Sequence, residues 1–120
     1  MKLDIHVKRV YEDPSDEDGT RVLVDRLWPR GIKKERLAAQ WLKDIAPSTE
    51  LRKWFQHEQP KWDEFKARYL SELDNNPEPV EELLAIAEKG RVTLLYSTKD
   101  SELNHASVLR EYLLAHARPS

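Results

Sequence analysis

Two short runs hold the residues most able to do chemistry. Asp25-Arg26-Leu27-Trp28-Pro29-Arg30-Gly31 follows Val22-Leu23-Val24, and Ser97-Thr98-Lys99-Asp100 follows Val92-Thr93-Leu94-Leu95-Tyr96. Each begins where an apolar stretch stops. Guanidinium groups, an ammonium and the face of a Trp together suit a phosphate or a carboxylate. Arg26, Trp28, Arg30, Lys99 and Asn104 are therefore candidate ligand contacts, and Asp25 or Asp100 is a candidate catalytic base. The expected partner is a small anionic molecule. In a simpler reading, Asp25 pairs with Lys99 and Arg26 with Asp100, so the charges only tie two loops together and Trp28 is a lid on the core. The anion site is the stronger of the two, because buried ionic networks stabilise weakly and tend to mark something else.

Other chemistries find less support. His57 follows Trp54-Phe55 at an expected helix end, where a histidine is favourable without being a general base. His6, His105 and His116 have no metal-ligand spacing, so neither a metal nor a cofactor is expected. Ser97 lacks the Gly-x-Ser-x-Gly setting of a nucleophile elbow, and there is no Gly-x-Gly-x-x-Gly run or P-loop. The chain has no cysteine, which removes disulfides, thiol catalysis and thiolate zinc sites. The acidic run from Tyr11 to Thr20 lacks the spacing of a calcium loop and reads as a solvated loop.

The elements that must position these residues form one domain, 1–120, with a single core. Leu3, Ile5 and Val7 alternate with polar residues as in a strand. Arg21 to Leu27 and Val92 to Ser97 read as strands buried on both faces. Leu37, Trp41, Leu42 and Ile45 have helical spacing and predict a helix from Lys34 to Ile45. Ser48 is the expected N-cap of a short helix through Phe55. Pro60 opens a helix reaching Asp74, and Asn76-Pro77 opens another that stops at Gly90. Asp100 or Ser101 is expected to cap the last helix. Trp41, Trp54 and Trp62 fall on helical apolar stripes and read as core. Strands alternating with helices indicate an α/β fold: a single helix-rich domain with a small, largely parallel sheet of three strands. In such a sheet, loops after parallel strands share one edge, and ligands bind there. Free amides at the start of the last helix would add to that edge.

Lys and Arg number 20 against 22 Asp and Glu, for a net charge of −2. That balance opposes wholesale polyanion binding but not a local basic patch. No apolar run approaches the roughly 20 residues of a membrane span, nor is there a signal peptide, so no membrane partner is expected and a cytoplasmic location is.

Asp25 to Gly31, Pro47-Ser48, Leu51 to Phe55 with His57, Trp62 with Phe65 and Tyr69, and Leu95 to Asp100 with Asn104 and Ala106 carry a resemblance. From Val7 to Leu113 the chain resembles the YeaO-like small bacterial proteins, a short branch of the DUF488 domain family. The resemblance implies a cytoplasmic protein but no reaction, since that family has no established activity. Thr98 stands where many relatives have alanine. Longer relatives carry a Cys and a Cys-His-Arg element that this chain lacks, so no thiol or metal chemistry carries over.

Three function classes remain. The first is a binding protein or small enzyme for an anionic metabolite. The second is a nucleic-acid-binding module or transcriptional regulator using Arg30, Lys33, Lys34 and Arg36, which the net charge disfavours. The third is a protein–protein adaptor. Oligomeric state is not legible.

Overall fold

A computed structural model describes residues 3–56, 58–99 and 104–116. His57, Asp100 and Ser101 lie outside the described residues. The chain forms an α/β domain whose four-stranded sheet has the order β1-β4-β2-β3. β1 is Ile5–Arg9, β2 Thr20–Leu23, β3 Gln40–Trp41 and β4 Val92–Tyr96. Every pairing is parallel: Ile5 stands opposite Val92, Val22 opposite Leu94, and Leu23 opposite Trp41. The helices are α1 Lys34–Leu37, α2 Thr49–Phe55, α3 Trp62–Asp74, α4 Pro77–Lys89 and α5 His105–Ala115.

The period of two in the central strands divides the core between the two faces of the sheet. Ile5, Val22, Val24, Val92, Leu94 and Tyr96 join the large core under α2 to α5. Leu23 and Leu95 face the other way and meet Val10 and Leu37, with Trp28, Ile32 and Ala39 packed against them. All five residues of β4 are buried, as its apolar run requires.

Beneath the smaller face lies a buried ionic cluster. Asp18 accepts from Lys8 at 3.1 Å and from the Arg21 guanidinium, and Arg21 Nε donates to the Leu37 carbonyl at 2.8 Å. Burial pushes the Asp18 carboxyl up, but the Ser15 amide, Lys8 and Arg21 together hold it below the ordinary range.

Two capping expectations agree with the structure. The Ser48 hydroxyl accepts from the Leu51 amide at 3.1 Å, and α4 starts at Pro77 and stops at Gly90. The expected helix from Lys34 to Ile45 does not form. α1 ends after Leu37, Ala38 turns left-handed at φ 48°, and the chain then pairs with β2 as β3. This adds a fourth strand to the three expected. Trp41 is thus on an edge strand, 37% exposed, rather than in a helical core. β2 is shorter than the expected Arg21 to Leu27. Val24 still donates to the Leu95 carbonyl at 3.1 Å, and there the ladder stops. α5 starts at His105, with Asn104 as its N-cap, accepting from the Ser107 amide at 2.9 Å.

Candidate functional site

Because β2 and β4 run the same way, the residues after each strand meet at one edge. Asp25, two residues beyond β2, is buried. Its Oδ2 accepts from the Ser97 amide at 3.0 Å and from the Ser97 hydroxyl at 2.6 Å. Its Oδ1 lies 3.1 Å from His105 Nε2. That nitrogen also stands 2.9 Å from the Val24 carbonyl, and among the described residues Oδ1 itself has no aligned hydrogen-bond donor. Burial raises the affinity of Asp25 for a proton. His105, then the Ser97 hydroxyl and amide, more than reverse this, and the carboxyl is held below its ordinary range.

A cleft of about 710 Å³ opens beside this cluster. Asp25, Ser97, Thr98, Asn104 and His105 form one wall, the Arg26 to Arg30 turn another, and α2 with Trp62 and Phe65 a third. Arg26, Arg30, Arg52 and Lys53 contribute four cationic side chains to the lining, and Asp25 is the sole acid among the described residues there. The floor is aromatic: Phe55 and Phe65 stack at 4.4 Å, and Trp62 on Phe65 at 5.4 Å. Leu27, 64% exposed, adds an apolar rim.

The expected site residues are partly brought together. Arg26, Trp28, Arg30 and Asn104 line the cleft with Asp25. Arg26 is also structural, donating through Nε to the Pro47 carbonyl at 3.2 Å and through Nη2 to the Ala46 carbonyl at 3.1 Å. Trp28 is fixed by its indole N–H, which donates to the Ile32 carbonyl at 2.6 Å, and by an edge-on contact with Trp41 at 5.4 Å. Lys99 is exposed and is not among the cleft residues. The loop-tying pair Asp25–Lys99 is accordingly not made, because Asp25 is already held by Ser97 and His105. Asn104 caps α5 and occupies the Ser107 amide. Of the basic run after Arg30, Arg36 pairs with Asp13 at 2.9 Å. Trp54 lies outside the cleft between two cations, Arg68 at 4.4 Å and Lys61 at 5.1 Å from its ring.

Sequence reasoning missed His105, Arg52 and Lys53 as cleft residues. For His105 the sequence offers only its lack of metal-ligand spacing, and no local signal links it to Asp25. Arg52 and Lys53 follow Leu51 on a helix whose buried side was legible, so an outward cationic pair was there to be found.

Chemically, the cluster is ordered Ser97–Asp25–His105. The serine proton goes to a carboxylate, not to an imidazole, so among the described residues no base activates Ser97 as a nucleophile. Asp25, held ionised, is a weak base. Among the described residues no group of three or more His, Cys, Asp or Glu could hold a metal, and no helix is long and apolar enough to cross a membrane.

A parallel α/β domain with a cationic cleft at the carboxyl edge of its sheet is the class that fold and site define. The chain belongs to a DUF488 family, the inactive DUF488-N3 subclade, which matches residues 4–119. It is 49% identical over 112 residues to the uncharacterized protein YeaO of Escherichia coli, covering 92% of this chain and 97% of that protein. It is 43% identical over 110 residues to the uncharacterized proteins Mb3100c of Mycobacterium bovis and Rv3073c of Mycobacterium tuberculosis, covering 91% of this chain and 92% of each. No solved structure gives a significant match.

Proposed function

We propose that the cleft binds a small anionic molecule, phosphate- or carboxylate-bearing, without turning it over. One observation carries this reading. A chain with net charge −2 gathers Arg26, Arg30, Arg52 and Lys53 around a single cleft whose sole described acid is already occupied by Ser97 and His105. Like charges converging on a concave, partly apolar surface repel one another, and a bound anion relieves that repulsion. Binding without turnover accords with a serine that no base activates and with the description of the subclade as inactive.

The test is calorimetric titration of inorganic phosphate and sulfate at low ionic strength. Arg52 and Lys53 are the variants of choice, being exposed residues of α2. Arg26→Ala would also strip the Ala46 and Pro47 carbonyls of their donor. Arg52→Ala and Lys53→Ala should each weaken binding about three- to tenfold while leaving the thermal midpoint within a degree or two. Wild-type affinity in both variants, or no heat from either anion, would refute the reading.

A further inference from the structure

We infer that His105 is the anion's hydrogen-bond donor in this cleft and that it takes up a proton when the anion binds. The inference rests on the anion reading of the cleft and adds a named contact and a proton to it.

Geometry fixes which nitrogen changes state. Nε2 faces two acceptors, the Val24 carbonyl at 2.9 Å and Asp25 Oδ1 at 3.1 Å. Neither can donate, since Asp25 is held as a carboxylate, so Nε2 carries a hydrogen whether the ring is neutral or charged. The exchangeable proton therefore sits on Nδ1. That atom has no hydrogen-bond partner among the described residues, and the ring is part of the cleft wall.

Opposed influences act on this proton. Asp25 favours the imidazolium: both Ser97 donors go to Oδ2, which leaves Oδ1 to the histidine. From the other elements, Arg26 and Arg30 after β2, Arg52 and Lys53 on α2, and the amino end of α5 itself all disfavour a further positive charge. Tyr69 of α3 packs edge-on at 6.1 Å, and burial keeps its phenol neutral. Asn104 and Thr98 carry no charge. An anion in the cleft cancels the cationic repulsion and leaves the attraction of Asp25 in place. Nδ1 then gains both a proton and an acceptor. By linkage, a ligand whose binding adds a proton to the ring binds more tightly where protons are more available, so affinity should be lower at about pH 8.5 than at about pH 5.5.

Sulfate is the probe, because it stays a dianion across that range and contributes no titration of its own. Its affinity for the wild-type protein should fall about tenfold between pH 5.5 and 8.5. Binding should persist in His105→Gln, whose amide can still donate to Val24, but without the pH dependence. Nitrogen-15 spectra of the wild-type protein provide a readout independent of any variant. Saturating sulfate should move the titration midpoint of His105 upward, with the change confined to Nδ1. Sulfate binding of equal strength at both pH values, or an unmoved His105 midpoint, would overturn this inference and leave the anion cleft standing. A failure of sulfate to bind wild type at any pH would remove both.

Discussion

Asp25 concentrates most of what the cleft does into one side chain. Its two oxygens have different tasks: Oδ2 ties β2 to β4 through Ser97, and Oδ1 faces His105. Because the folded-state carboxyl is held below its ordinary range, its contribution to stability is fully present above the unfolded value of about 3.9 and is lost as pH falls through the folded value. Asp25→Asn keeps the shape but not the charge. Its unfolding free energy at neutral pH should drop by about 1–3 kcal/mol. Below about pH 4, the variant should lose stability less steeply than wild type, retaining the acid sensitivity due to Asp18. Urea melts at pH 7 and pH 3 decide it: a constant difference between the two proteins would mean that the charge of Asp25 is not what matters. At this scale the sequence was half legible. Asp25, Arg26, Trp28 and Arg30 could be placed at a strand exit from type and order alone. Their partners could not, because a hydrogen bond between Asp25 and Ser97 depends on a register that nothing local encodes.

Elements were legible wherever one element serves one face of the sheet. α2, α3 and α4 each bury a single stripe, and each formed close to where its caps and prolines placed it. The segment from Lys34 to Ile45 failed this condition. Leu37 belongs to the small core and Ile45 to the large one, on opposite sides of the sheet. A straight helix cannot serve both, so the chain turns at Ala38 and passes along the sheet edge as β3. The helical spacing of Leu37, Trp41, Leu42 and Ile45 was real, but it answered to two different surfaces. A second tight constraint sits where the chain enters β2. Gly19 has φ 66°, and a Cβ there would stand 2.3 Å from the Arg91 carbonyl oxygen. Thr20 donates to that same carbonyl at 2.9 Å, so the strand cannot move away without losing its first rung. Gly31 has φ 74° but open space around it. Gly31→Ala should therefore cost about 1–2 kcal/mol from the left-handed backbone alone. Gly19→Ala should cost more, about 3 kcal/mol or above, since strain and the steric clash add. Thermal melts of the two variants give the comparison, and equal losses would show that the approach to Arg91 is unimportant.

At the scale of the whole molecule, two cores of unequal size share one sheet, and the cleft draws on both: its aromatic floor belongs to the larger, and its Arg26 to Arg30 turn leans on the smaller. Trp28 and Ile32 pack against the small cluster of Val10, Leu23, Leu37 and Leu95, so the turn that presents Arg26 and Arg30 is anchored from below by it. The large core holds α4, which contributes nothing to the cleft lining. Stability and binding should therefore separate. Leu37→Ala and Leu84→Ala each empty a buried leucine site and should each cost about 2–5 kcal/mol. Leu84→Ala lowers the population of folded protein without touching the cleft, so sulfate affinity of the folded fraction should stay within about twofold of wild type. Leu37→Ala withdraws the support of Trp28, so the same affinity should fall about fivefold or more as the turn gains freedom that binding must then remove. Calorimetry below the melting range of both variants measures this directly. Equal affinities in the two would mean that the rim is held by its own hydrogen bonds, chiefly Trp28 to Ile32 and Arg26 to Ala46 and Pro47, and that the small core carries no more of the site than the large one.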